Sequence, residues 1–413
     1  MITALTLLLL TLDCGPREPY RYRRHPREYV GPESTGAGPP EVKEVLLGYF
    51  GPGDGAGGPN RLLWEAACLA VEEANRSGGF RGLPFRIQAV WAGNPWEGAA
   101  AKLAKLLYKD RVWGIVASVD GSAAHVAEQV AAKARVPVIT PCATDKSVNL
   151  ANVPWIFSCL SGDHLLAPVI ARKAATCGGP LVMVETDGHD QRLFSEEFYK
   201  ALLRLKIVLG RRLTIGLQAD SFGRLITEVL SVRPKVIVII ADPRASARLV
   251  CGFRAARWRG EILGSPWFAA GDFQELAGSY KEGVFFPLPG EMPPEDHPFV
   301  KEFIKRTGKS PDIFACSVYD AATLLINAVR KAGLNRAAVR KALEKPQPEA
   351  GLTGVFRWDP QGANTRSPRL ATYRNGKLYV VPRGQTTTFR VMTSSSIRRS
   401  SRQMSATVSM QRR

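Results

Sequence analysis

Histidine is scarce in this chain, with five residues in 413. No two of them stand at the spacing of a local metal-binding motif. GxSxG, HExxH and the complete P-loop pattern are also missing, so none of those hydrolase or nucleotide chemistries is indicated. The cysteines (Cys14, Cys68, Cys142, Cys159, Cys177, Cys251 and Cys316) form no CxxC pair. Apart from Cys14 they stand singly, mostly inside apolar segments, and read as small buried hydrophobes. Their density is far below that of a disulfide scaffold, although one or two bridges stay open. No uninterrupted apolar run reaches roughly 18 residues, which excludes a multi-pass membrane protein. One GxGxxG occurs, at Gly53, Gly55 and Gly58, but the next strand ends in Trp91-Ala92-Gly93. A dinucleotide site wants an acid there. Lone acids such as Asp187, Asp190 and Asp242 do not make an acid/base pair.

What the chain has in excess is positive charge: 56 Lys and Arg against 37 Asp and Glu, or +19. Such a balance suggests nucleic acid, anionic lipid or an acidic ligand. Its distribution weakens the first of these. Residues 1–41 and 383–413 carry twelve Arg and five acids, which leaves +12 for everything between them. Residues 14–41 and 383–413 are rich in Ser, Thr, Pro, Gly and Arg and lack periodic apolar positions. They read as a disordered basic linker and a disordered tail. The remaining basic residues are scattered over helix faces, as on solvated surfaces, and no nucleic-acid partner is expected.

Residues 2–12 (ITALTLLLLTL) are too short to span a bilayer roughly 30 Å thick but suit the apolar core of a secretory signal. Residues 1–13 are therefore read as a signal segment. Cys14-Gly15 follows almost at once and resembles a bacterial lipoprotein signal, in which that cysteine would be lipidated. No Lys or Arg precedes the run, and Asp13 stands where a small residue is expected.

From residue 42 the texture becomes an alternation of short apolar runs and amphipathic stretches. Strands are predicted at 44–50, 84–91, 112–116 and 136–140, with helices at 62–75, 96–109 and 122–134 between them. Gly78-Gly79 stops the first helix. The pattern restarts with helices at 165–175, 194–205, 222–230 and 245–258 and strands at 181–185, 207–215, 235–240 and 262–264. A Pro/Gly-rich linker is predicted after Phe286, then helices at 298–306, 315–331 and 336–343. Short strands at 354–358, 370–373 and 378–381 close the chain, the last two around the Asn375-Gly376 turn signal. Repeated strand-then-helix units argue for α/β architecture with two doubly wound parallel-sheet domains.

Open α/β sheets bind ligands beyond the carboxyl ends of their strands, so the loops there carry the candidate chemistry. Val119-Asp120-Gly121-Ser122 combines a close-approach glycine with free amide donors, or alternatively a helix cap at Asp120 or Ser122. Pro141-Cys142-Ala143-Thr144-Asp145 is small enough to leave room for a ligand and supplies one hydroxyl, or is an ordinary turn. Residues 185–191 (ETDGHDQ) gather three acids and His189, a site or a set of exposed turn residues.

In chain order, LLGYFGP, AACLAVEEANRSGGFRGLPFRI, WGIVASVDGSAAHVAEQVAAKARVPVITPCATD, VIVIIADP, ILGSPWF, SVYDAATLLINAV and TGVFRWDPQGAN resemble type I periplasmic binding proteins. The branch is that of the leucine/isoleucine/valine-binding proteins of ABC importers. The resemblance spans about residues 42–382. It implies a two-lobe clamshell with three crossovers: lobe I from 42–163 plus 289–349, lobe II from 164–288 plus 350–382. It implies no enzymatic activity, no cofactor and no metal. The expected ligand is an amino acid, branched-chain type favoured, or a related carboxylate or amide, delivered to an ABC permease and ATPase from an extracytoplasmic location. By this resemblance the loops matching Gly121, Ser122, Cys142, Ala143 and Thr144 would hold an α-carboxylate. The tyrosine usual in the opposing lobe would be replaced by His189 or Asp190, and Asp242 and Trp267 would add contacts. The same clamshell also serves amide- or amino-acid-responsive regulators and receptors, so a sensing role stands beside transport.

Overall fold

The computed structural model describes residues 42–53, 55–57, 60–93, 98–216, 221–346 and 350–382. The expected signal segment, Cys14, and the stretches read as a basic linker and a Ser/Thr/Arg tail lie outside them, as does Gly58. Alternation along β1 (Val45–Pro52) sets the first sheet between two helical layers. Val45, Leu47 and Tyr49 pack with α1 (Asn60–Arg76), whereas Phe50 faces Leu103 and Leu106. β2 (Phe85–Ala92), α2 (Ala99–Ala104), β3 (Ile115–Ala117), α3 (Gly121–Ala134), β4 (Val138–Thr140), α4 (Ser147–Leu150) and β5 (Ile156–Ser158) follow. The strands are parallel in the order β2-β1-β3-β4-β5. Strand order therefore reverses between β1 and β3, and a crevice opens beyond their carboxyl ends.

The second unit runs α5 (Asp163–Cys177), β6 (Leu181–Thr186), α6 (His189–Arg204), β7 (Arg211–Ile215), α7 (Ser221–Ser231), β8 (Val236–Ile240), α8 (Pro243–Ala255), β9 (Glu261–Gly264), α9 (Gly271–Ala277) and β10 (Phe285–Leu288). β8 is all Val and Ile and fully buried, as a central parallel strand requires. The chain then returns to the first unit with α10 (Pro298–Thr307), α11 (Ile313–Ala332) and α12 (Arg336–Glu344), of which α10 and α11 lie against α1. α11 is long and apolar enough to cross a membrane, but it is mostly buried against its neighbours, which explains its composition. The small hairpin β11 (Ala350–Gly351) and β12 (Gly354–Val355) precedes β13 (Arg369–Arg374) and β14 (Lys377–Val380). These last two strands join the second sheet antiparallel, in the order β14-β13-β10-β9-β8-β6-β7.

Three chain crossings between the units are tied together by side chains. Arg366 donates to the carbonyls of Cys159 (3.3 Å), Pro289 (3.2 Å) and Thr353, one on each crossing. Ser161 donates to the carbonyls of Arg366 and Pro289, and Asn364 to that of Cys159. Asp320 on α11 accepts from the amides of Leu352 and Thr353, each at 2.8 Å, and from the Thr353 hydroxyl. The carbonyls freed where the sheets stop are thus paired.

Several local expectations needed correcting. β5, α4, α9 and β10 fall in stretches where no element is expected, because elements of three to seven residues are too short to show a clear period. The linker after Phe286 begins later, since Pro287 and Leu288 belong to β10. The expected strand 354–358 is only Gly354–Val355. α6 starts at His189 rather than at 194, with Gly188 as its extended N-cap. No disulfide forms among the described residues, where the six cysteines are free.

Candidate functional site

A cavity of about 240 Å³ lies where the carboxyl ends of both sheets meet. The first unit contributes Pro52 at the end of β1, Ser118–Asp120 after β3, Cys142 after β4, and Asn60, Leu62 and Leu63 from α1. The second contributes Pro243 after β8 and Trp267, Ala270, Gly271 and Asp272 after β9. Asp312 and Phe314, at the start of α11, complete it. A larger groove of about 340 Å³ lies beside α12 and the 359–362 turn, near the amino end of β5. The smaller cavity alone sits at the strand ends where α/β sheets bind ligands.

Two contacts across this cavity tie the units together. The Trp267 ring stacks on Phe314, with centroids 4.7 Å apart and planes at 23°. Asp312 caps α11 through the Ala315 amide and reaches across to accept from the Gly271 amide, each at 2.8 Å. Loss of solvent contact raises its pKa, and the amide hydrogen bonds oppose that rise. With Asp120 and Asp272 it makes three carboxylates in the wall; among the described lining residues none is Lys or Arg. Asp272 is partnered by Arg244 at 3.2 Å. Leu62, Leu63, Val119, Trp267 and Phe314 supply the apolar remainder.

Of the expected site residues, Cys142 and Trp267 line the cavity. The Cys142 thiol is buried, lies 3.6 Å from the Ser118 hydroxyl, and is pushed up to about 12 by burial. Asp242 instead caps α8, accepting from the amides of Arg244 and Ala245 at 3.0 Å; its neighbour Pro243 faces the cavity. Ser122 donates to Asp120, which caps α3 through Ala123. Ala143 and Thr144 are buried, and the Thr144 carbonyl accepts from the Asp163 amide at the first crossing.

The Gly121 amide is already taken. Asp190, from the second unit, sets its two carboxylate oxygens 3.0 and 3.2 Å from that nitrogen. A Cβ on Gly121 would stand 2.7 Å from both Asp145 and Asp190, so only glycine admits this approach. Burial, then the charge of Asp120, pushes Asp190 up to about 7. Beside it His189 meets Asp145 (2.9 Å), Asp145 also receives His125 (3.1 Å), and Lys146 pairs with Glu197 (2.6 Å). Burial works to raise the Asp145 carboxyl, but the hydrogen bonds of His125, Ser147 and His189 outweigh it and hold the group well below the usual range. The units are in contact along this whole side.

Asp312, Phe314 and Asn60 were missed by sequence reasoning. Asp312 had one usable signal, an N-cap residue directly before an apolar helix; nothing local marked it as reaching the other unit.

A family model described as periplasmic binding protein matches residues 44–377. No curated protein matches the chain. Among solved structures, the chain is similar to the branched-chain amino acid transporter substrate-binding protein LivJ of Streptococcus pneumoniae, in complex with isoleucine. Identity is 21%, the TM-score 0.73, and the match covers 82% of this chain and 99% of that one. The leucine-binding protein LivK of Thermotoga maritima matches at 21% identity and a TM-score of 0.71, covering 82% and 98%. A solute-binding protein from Rhodopseudomonas palustris in complex with benzoate matches at 19% and 0.70, covering 82% and 95%.

Proposed function

The chain belongs to the periplasmic binding protein family, whose members bind solutes without catalysis, and on that premise we propose that it captures one small molecule by lobe closure and delivers it to an ABC permease. The cavity built from the carboxyl ends of both sheets carries this reading. A ligand touching both units favours the state in which they are together, which is how binding drives closure. Lobes of residues 42–163 plus 289–349 and 164–288 plus 350–382 are supported by the division of strands between the two sheets. An extracytoplasmic location follows from the family; anchoring through Cys14 is part of the proposal.

The cavity chemistry narrows the ligand. Its volume, about 240 Å³, suits a single small metabolite. The wall carboxylates, of which Asp120 and Asp312 have no ion-pair partner among the described residues, favour an ammonium or amide group over a bare anion, while Leu62, Leu63, Trp267 and Phe314 suit an aliphatic or small aromatic body. Gly121, expected to hold a ligand carboxylate, is engaged by Asp190. We therefore favour an amino acid of branched-chain type bound chiefly through its ammonium and side chain, or the corresponding amine or amide. Benzoate, bound by one similar protein, is disfavoured here by the wall charges.

Thermal-shift measurements with branched-chain amino acids, their amides and amines, and benzoate test this. At 100 times Kd a ligand of the native state stabilises it by about 2.7 kcal/mol. The expected result is a rise with the amine-bearing aliphatic compounds and none with benzoate. A flat response to every compound would count against solute capture at this cavity.

A further inference from the structure

The contacts beside Gly121 assemble side chains from three segments and from both lobes. His125 lies on the second turn of α3, Asp145 follows β4, and His189 opens α6. The Nε2 atoms of both imidazoles converge on one oxygen of Asp145, Oδ2, at 3.1 and 2.9 Å, and all three donor atoms lie within 4.8 Å of one another. The rings stand edge to face at 84° with centroids 5.8 Å apart, so neither blocks the other.

We propose that His125, Asp145 and His189 form a binding site for a divalent transition-metal ion, zinc being the simplest, which bridges the two lobes and holds the cleft closed. Two imidazole nitrogens and one carboxylate oxygen are a donor set that zinc takes, leaving a fourth position for water. The two separations from Asp145, 3.1 and 2.9 Å, are close to the roughly 3.3 Å edge of a tetrahedron whose bonds are about 2.0 Å, and the two imidazole nitrogens lie within 4.8 Å of each other. The supporting groups suit the same role. His125 turns its other nitrogen, Nδ1, toward the buried Glu128 carboxylate at 3.3 Å, an arrangement that fixes ring orientation and raises ligand basicity. The second oxygen of Asp145 is held by the amide and hydroxyl of Ser147, each at 2.7 Å; the same hydroxyl also lies 2.8 Å from Oδ2 and 2.9 Å from the His125 Nε2, contacts that a bound ion would replace. Both imidazoles keep part of their surface exposed, 22% and 31%, which gives an ion a way in from solvent while Asp145 is buried.

His125 and Asp145 belong to the first unit and His189 to the second, so the full donor set exists only while the units touch. A ligand that needs the touching state stabilises it, and the ion thereby acts as a closing effector separate from the solute cavity. The assignment needs neither a known solute nor a transport role, and its test uses the metal alone.

The experiment takes the full chain without a polyhistidine tag, stripped with chelator, and titrates zinc chloride by calorimetry at pH 7.5 with no solute added. One zinc per chain is expected, with a raised unfolding midpoint and a smaller radius of gyration in solution scattering. His189→Ala should weaken binding at least tenfold, the scale on which even supporting groups act, and abolish the compaction. His189→Gln keeps a donor toward Asp145 but removes the imidazole; a normal metal-free midpoint with a lost zinc response would separate coordination from folding. Absent zinc binding would overturn the assignment and leave the cluster a proton-held ion pair. So would stoichiometric binding that survives both substitutions.

Discussion

Replacing Asp190 by Ala should let the binding protein hold ligand carboxylates more tightly. In the native chain the Asp190 carboxylate occupies the Gly121 amide, at 3.0 and 3.2 Å, the group that the family resemblance assigns to a ligand carboxylate. A hydrogen bond to a charged group contributes about 1.5–3 kcal/mol. Because burial pushes Asp190 up to about 7, the carboxylate is only partly ionised near neutrality, so the lower end applies. Transferring that bond from Asp190 to a ligand is then worth about 1.5 kcal/mol, or roughly tenfold in Kd. The substitution also removes one negative charge beside the cradle, in the same direction. Calorimetry of leucine and of its decarboxylated amine, with wild type and Asp190→Ala at one pH, reads the effect. Leucine should gain about tenfold and the amine, which has no carboxylate, should gain nothing. A folded Asp190→Ala protein with unchanged leucine affinity, or with equal gains for both compounds, would refute the argument.

Trp267→Ala removes the ring stacked on Phe314, a pair worth about 0.5–1.5 kcal/mol beyond its buried area, together with one apolar wall. Ligand affinity should fall by roughly tenfold or more by calorimetry, and the unfolding midpoint should drop by an amount matching the lost stack and buried area, about 1–3 kcal/mol. Arg366→Ala leaves the carbonyls of Cys159, Pro289 and Thr353 without their shared donor. Asn364, Ser161 and the Glu291 amide still donate to these carbonyls, so the expected loss is about 1–3 kcal/mol in chemical denaturation, the scale for a lost charged donor, and no measurable loss would contradict the role given to the crossings. Asp320 is pushed up to about 6 by burial, against the hydrogen bonds of Thr353 and Leu352. Its folded value thus exceeds the unfolded one near 4, and the native state binds the extra proton. Its contribution is complete below about pH 4 and lost as pH rises through about 6, by at most about 3 kcal/mol. Denaturation midpoints measured from pH 4 to 7 should show this fall in wild type and a flatter profile in Asp320→Asn.

Much of the scaffold was legible because its causes are local. The apolar runs 45–50 and Val236–Ile240 and the glycines after α1 each act within a few residues, and with the repeated strand-then-helix texture they specify two α/β units. The loops after β3 and β4 were legible for the same reason, since strand ends are where such sheets bind ligands. Boundaries failed where the local signal was thin, as at the three-residue β5 and at α6, whose first turn holds the polar His189 and Asp190.

Family likeness pointed to a carboxylate cradle at Gly121 and an opposing side chain at Asp190, but not to the two meeting directly. That contact joins residues 69 positions apart. The His125, Asp145 and His189 cluster spans 20 and 44 positions, with no spacing rule linking its members. Asp312 carries the helix-cap signal in sequence, while its bond to Gly271, 41 residues earlier, exists only because the sheets face each other. Backbone periodicity is written by neighbours along the chain and can be read there. Which side chains face one another across the cleft depends on how two finished sheets are set against each other, and only the tertiary structure decides that.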